Sequence, residues 1–296
     1  HMAHETRWLF HSTAMVADYD RAISSLARLG GLRVLEYSEQ QVPEVGRRGG
    51  MTWIGDNSIE IGQPIVEGAG ADKFVRRNGG GVHSIALQVS DLQATTEHVQ
   101  SLGVAIAARP SDGFFFTDPR HTDGIFIEWA AMEMVEDPRF GDPAPPMTQP
   151  PLLDVPHHAF VGAVVADPLA VAERMARLMG TPITFQAPDA SPAAPMAGVS
   201  MGDCSLLLYA LPGDRSMQLW GRDYTKNRTH LIGLRVDDLA AAASIVIDNG
   251  IRVVRRDEDV IVLDPSDTGG VAVALCESLP PGDPRQHGPI SYPSDR

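Results

Sequence analysis

The chain carries little that would tie it to anything large. Two cysteines, Cys204 and Cys276, stand among 296 residues. That is too few for a disulfide framework, and both lie in strand-like runs where a buried thiol suits a reducing cytoplasm, the expected location. No apolar run is long enough to cross a bilayer and no secretory leader pattern is present, so no membrane role is expected. His1-Met2 has the look of a cloning remnant. Basic charge is scarce: 24 Lys and Arg against 38 Asp and Glu leave a net charge of −14. Without a basic stripe there is nothing to displace counterions from a phosphate backbone, which argues against nucleic acid. The expected partners are a small carbonyl-bearing or aromatic molecule and, at most, a second copy of the chain in a homodimer.

What is present is repetition. HSTAMVAD ends at Asp18, HSIALQVSD at Asp91, FVGAVVAD at Asp167 and HLIGLRVDD at Asp238, with the aspartates 73, 76 and 71 residues apart. One supersecondary unit used four times explains that spacing. Each copy opens on a strand of small and β-branched residues, closes it with an Asp able to cap a helix, and continues for about one helix's length to a glycine. The predicted helices are 20–30, 92–103, 168–180 and 239–250. Short strands with turns between them follow, such as 51–54 and 58–61 around Gly55-Asp56-Asn57, 113–117 and 125–129, and 260–263 and 271–275. The unit reads βαβββ. The fold class expected is α+β, with two modules in each of two domains, 8–135 and 157–279. A proline-rich linker is expected over 136–156, and a tail, extended on a surface or disordered, over 280–296.

Strand residues alternate faces, so positions equally distant from the capping Asp point alike in every copy. Seven places before it stand His11, Ser84, Phe160 and Leu231. The last strands carry Glu60 and Glu128 in the first half, and Leu207 or Leu208 and Ala274 in the second. A carboxylate inside an apolar strand is costly unless paired or bound to a metal. Chemistry is therefore expected in the N-terminal half alone. Trp53, Phe114, Phe116, Phe126 and Trp129 are expected to line the barrel, His121 to sit in an exposed turn, His157-His158 to fall outside the liganding register, and Arg255 to Asp259 to form a solvated hairpin.

These residues resemble the vicinal oxygen chelate superfamily of glyoxalases, bleomycin resistance proteins and extradiol dioxygenases. ADKFVRRNGGGVHSIALQVSDL and FTDPRHTDGIFIEW are most similar to the methylmalonyl-CoA epimerase group, and residues 158–277 resemble the family as a fold only. The resemblance implies two half-open barrels, with a divalent metal held by residues of the first and fourth strands of each module. Carried over, it places metal ligands at His11, Glu60 and Glu128, and at His83 if a β-bulge turns that side chain inward. Simple alternation puts Ser84 in the third ligand's place, so the metal's identity and its presence stay open. The epimerase likeness also implies catalytic acid/base roles for Glu128 and for Glu44, in VPEVG. The expected function is a metal-assisted isomerase or epimerase that moves a proton next to a carbonyl through an enolate. The alternatives are an extradiol ring-cleaving dioxygenase, a non-catalytic binding protein for a small apolar molecule, and a metal-free acid/base site built on the same His11 and glutamates.

Overall fold

The computed structural model describes residues 3–37, 46–134, 136–188, 195–210, 218–219, 222–223 and 226–292. The first half runs β1 (Thr6–Met15), α1 (Tyr19–Gly30), β2 (Arg33–Tyr37), β3 (Arg47–Ile54), β4 (Asn57–Pro64), α2 (Gly70–Asn78), β5 (Gly81–Val89), α3 (Leu92–Ser101), β6 (Ile106–Ser111), β7 (Phe114–Thr117) and β8 (Phe126–Ala130). The second half repeats it with β9 (His157–Val165), α4 (Pro168–Met179), β10 (Ile183–Ala187), β11 (Met196–Ser200) and β12 (Ser205–Ala210). A two-stranded insert, β13 (Gln218–Leu219) and β14 (Arg222–Asp223), precedes β15 (Arg228–Arg235), α5 (Leu239–Asp248), β16 (Val253–Arg256), β17 (Val260–Leu263) and β18 (Val273–Cys276).

Each half is one eight-stranded sheet, in the orders β2-β3-β4-β1-β5-β8-β7-β6 and β10-β11-β12-β9-β15-β18-β17-β16. The expected α+β fold of four βαβββ units is found, as two half-open sheets rather than closed barrels. The first strands of paired modules meet antiparallel at the centre, β1 with β5 and β9 with β15. All four aspartates act as predicted: Asp18, Asp91, Asp167 and Asp238 accept from the backbone N–H of Arg21, Ala94, Ala170 and Ala241. Each satisfies one N–H that the first helical turn leaves without a partner.

Alternation along the strands sorts the side chains into two layers. Leu9, Ile59, Ile61, Ile85, Leu87, Ile127 and Trp129 face the helices, and they join Leu26 of α1, Val99 of α3, Met175 of α4 and Val246 of α5 in one core continuous through both halves. Trp129, expected to line the barrel, belongs to this layer, because Glu128 takes the opposite face. The other face of each sheet forms a cup with its own smaller apolar cluster. Both cysteines are buried, unpaired thiols. Burial holds both above the usual thiol range, Cys276 at about 12.

Segments expected as linker and tail act as clasps. Asp137-Pro138-Arg139 and Asp283-Pro284-Arg285 each form a short 3-10 turn. Arg139 donates to the carbonyls of Leu9 and Phe10, and Arg285 to those of His158 and Ala159. Those carbonyls flank bulges, since the ladder skips Phe10 in β1 and Ala159 in β9. A bulge leaves backbone groups without ladder partners, and the guanidinium fork supplies donors for them. The two halves also latch reciprocally. Asp56, in the β3–β4 turn, accepts from His158 N and pairs with Arg285; Asp203, in the β11–β12 turn, accepts from Leu9 N and lies 3.8 Å from Arg139.

Candidate active site in the N-terminal cup

Register places the candidate residues on the inner face of the first sheet. Thr13 of β1 pairs with Glu60 of β4 and with Ser84 of β5; Glu128 of β8 pairs with Ala86 of β5 and Phe116 of β7. His11, Glu60, Ser84 and Glu128 are all buried, at 2–5% exposure. The wall around them is Phe10, Trp53, Ala86, Ala130 and Met134, with Leu35, Met51 and Phe114.

The cup's polar groups form a chain of contacts. Arg47 Nη2 donates to Glu60 Oε1 at 2.5 Å, and Thr13 Oγ1 donates to Glu60 Oε2 at 3.1 Å. Thr13 Oγ1 is also 3.2 Å from His11 Nδ1. A hydroxyl has one proton, and here it goes to the carboxylate, so the imidazole must donate from Nδ1. In neutral His11 that leaves Nε2 bare, and Nε2 lies 3.8 Å from Glu128 Oε1. The arrangement is an imidazole oriented by Thr13, a carboxyl group near enough for one proton to pass between it and the bare Nε2, and a buried guanidinium–carboxylate pair alongside.

His83 is the bulge residue of β5: the ladder pairs Thr13 with Ser84 and Ala14 with Val82, skipping it. Its ring meets Phe74 and Phe126 edge-on, and its Nδ1 is 3.2 Å from Ser84 Oγ. Phe126 shares the Glu128 face of β8, so the bulge turns His83 to the cup side along with Ser84. Burial lowers its pKa to about 3, with the positive charges of Arg47 and Arg228 adding to the effect. Glu44 lies outside the described residues.

The expected ligands therefore share a cup, but their donors do not fit a divalent ion. Both Glu60 oxygens are engaged, one of them by a cation, and among the described residues no group of three His, Cys, Asp or Glu is disposed to hold a metal. Arg47 and Thr13 were missed in the sequence, although both follow from period two. Arg47 shares a face of β3 with Met51, the partner of Glu60, and Thr13 stands two residues after His11.

The second cup is filled. Phe160, Leu207, Leu231 and Ala274 occupy the places of His11, Glu60, Ser84 and Glu128 and pack into one apolar cluster. A Cβ on Gly233 would stand 2.3 Å from the Phe160 ring, and one on Gly162 2.3 Å from the Tyr209 hydroxyl. Aromatic side chains lie directly on bare strand backbone there. A further concavity of about 570 Å³ between the halves is lined by Trp53, Asp56, Arg139, His157, Arg285 and Tyr292 among others. Its charged groups are already paired, Asp56 with His157 and Arg285, and Arg139 with Asp137.

Residues 10–117 match the Glyoxalase/Bleomycin resistance protein/Dioxygenase superfamily. The match covers the strands that carry His11, Glu60 and His83, and it stops short of Glu128. No curated protein sequence matches the chain. Among solved structures, a 4-hydroxymandelate synthase mutant from Streptomyces coelicolor is similar over 92% of this chain and 93% of its own, with a TM-score of 0.66 at 15% identity. A xylose isomerase-like TIM barrel/4-hydroxyphenylpyruvate dioxygenase fusion protein is similar over 93% of this chain and 49% of its own, with a TM-score of 0.61 at 12% identity. At those identities the likeness is one of fold, and it runs through both halves of the chain. Methylmalonyl-CoA epimerase from Mycobacterium tuberculosis is 27% identical over 42% of this chain and 87% of its own, with a TM-score of 0.38.

Proposed function

We propose that the N-terminal cup moves a proton at a carbon next to a carbonyl group, an isomerase- or epimerase-type reaction through an enolate. The observation that carries this reading is the buried His11–Glu128 pair, 3.8 Å apart, in a cup walled by apolar side chains. Acid/base groups held together out of water are the equipment that such a transfer needs. Glu128 takes the proton from the α-carbon, and the electron pair of that C–H bond becomes the enolate's carbon–carbon double bond as charge moves to the carbonyl oxygen. His11, its Nδ1–H fixed by Thr13, accepts that proton from Glu128 at its bare Nε2 and, as the imidazolium, returns it to the carbon when the enolate collapses. The Arg47 charge stabilises the oxyanion from within a low-dielectric wall. Glu44, on the sequence resemblance alone, is kept as a second acid/base candidate.

A ring-cleaving dioxygenase needs imidazole and carboxylate ligands on iron with open positions beside them. The second cup, with Phe160, Leu231 and Ala274, supplies none of these at the equivalent positions. Its filled interior equally disfavours storage of a small apolar molecule there.

The test is solvent isotope exchange. Small α-substituted ketones and acyl thioesters incubated in deuterated water are expected to exchange the α-hydrogen with the native protein, followed by proton NMR. Glu128→Gln and His11→Ala are expected to slow exchange about 100-fold or more, the usual contribution of a positioned acid/base group. Undiminished exchange in Glu128→Gln removes this mechanism.

A further inference from the structure

We propose that Arg47 stands in for a divalent ion, making the N-terminal cup a metal-independent site whose positive charge is a guanidinium seated on Glu60. The use of that charge for a substrate oxyanion rests on the function proposed above. The exclusion of a metal rests on geometry alone.

Three observations carry it. Glu60 is the residue that the sequence resemblance implies as a ligand, and each of its oxygens has a partner, Arg47 Nη2 on one and Thr13 Oγ1 on the other. An ion coordinated there would have to expel a buried cation or sit beside it, and like charges in a low-dielectric interior repel strongly. The ion pair is not a surface accident, since the two side chains are 8% and 5% exposed. A place has also been made for it. Gly62 of β4 does not have a left-handed backbone, so conformation does not demand glycine; yet a Cβ there would lie 3.0 Å from Arg47 Cδ and 3.1 Å from Met15 Sδ. The bare position lets the arginine chain lie flat along the strand to reach Glu60. Finally, His11 spends Nδ1 on Thr13, which spends its own proton on Glu60, so first-strand and fourth-strand groups are already joined without an ion between them. A guanidinium offers a planar fork for two oxygens and keeps its charge at any working pH, so it can meet a developing enolate or a carboxylate without a bound metal.

The experiment measures metal content with no substrate present. The native protein and His11→Ala are dialysed against Mn²⁺, Co²⁺, Ni²⁺ and Zn²⁺ in turn and assayed by mass spectrometry of the elements, with thermal melts before and after a chelator. The expected result is no equivalent of metal that depends on His11, and a melt the chelator does not move. An equivalent retained by both proteins is assigned by repeating the measurement on His11→Ala/Glu128→Ala, where retention places it outside the cup and loss overturns the proposal. One equivalent bound by the native protein and lost in His11→Ala overturns the proposal. Arg47→Met, which keeps length and removes charge, is expected to gain a His11-dependent equivalent, while Arg47→Lys stays without one. A folded Arg47→Met that takes up no metal refutes the guanidinium as the excluding group. If Arg47→Met does not fold, the native measurement still decides the matter. Because isotope exchange judges the reaction and metal content judges the cup, either can fail while the other stands.

Discussion

Replacing Arg139 by alanine removes the clasp of the first half, and the structure sets the size of the loss. The side chain is 4% exposed and pairs with Asp137, which is fully buried. It donates to the carbonyls of Leu9 at 2.8 Å and Phe10 at 3.0 Å, and approaches Asp203 at 3.8 Å. Without it, Asp137 is a buried charge with no cation, the Leu9 carbonyl loses the guanidinium donor, and the Phe10 carbonyl keeps only the Ser58 hydroxyl. Breaking a buried pair from one side costs about 3–5 kcal/mol, against at most about 1 kcal/mol for an exposed pair. In a chain of this length each kcal/mol moves the melting temperature by roughly 2 °C, so a fall of about 6–10 °C is expected. Urea unfolding followed by circular dichroism measures it, with the m-value checking that only stability has changed. Arg285→Ala, its pseudo-twofold mate on Asp283 and the carbonyls of His158 and Ala159, is expected to lose a similar amount. A loss below about 1 kcal/mol in both would show that the clasps are surface decoration.

Other outcomes follow from the same geometry. Gly233→Ala drives a methyl into the Phe160 ring at 2.3 Å and is expected to cost about 1–3 kcal/mol, with Phe160→Leu restoring part of it in the double variant; no coupling between the two would mean that the second cup is not filled as described. The protein is expected to weaken on mild acidification. Burial lowers the folded pKa of His158 to about 4 and of His230 to about 3, while unfolded histidines bind protons below about 6.5. Unfolding therefore takes up protons in that window, and stability falls as pH drops from 6.5 toward 4, by about 1.4 kcal/mol per pH unit for each histidine. A urea midpoint unchanged between pH 7 and pH 5 would contradict this.

The repeats were legible because each helix announces itself with a capping aspartate, a local signal that needs no tertiary information. Predicted helix 92–103 and found helix Leu92–Ser101 differ only at the fraying end, and strand 260–263 is found as Val260–Leu263. Glu128 and Ala274, matched by comparing the last strands of the repeats, are found opposite the equivalent residues Ala86 and Gly233. What escaped was non-local. Whether His83 faces inward depends on a bulge that alternation along one strand cannot show. Arg47 gains meaning only when β3 is laid against β4, because its side chain runs along the neighbouring strand to Glu60, which stands opposite Met51. The clasps read as proline-rich connection, although Asp-Pro-Arg recurs at 137–139 and 283–285 in step with the larger repeat. Their purpose is to satisfy carbonyls at bulges formed elsewhere in the chain.

A crystal structure grown with oxalate, a planar dianion shaped like an enediolate, tests most directly the claim that the working site is the first cup and its cation is Arg47. One oxalate with an oxygen on the Arg47 guanidinium and its other end toward His11 and Glu128 is the predicted result. Oxalate bound only between the halves or in the second cup, or held by a divalent ion on His11 and Glu128, would contradict the account.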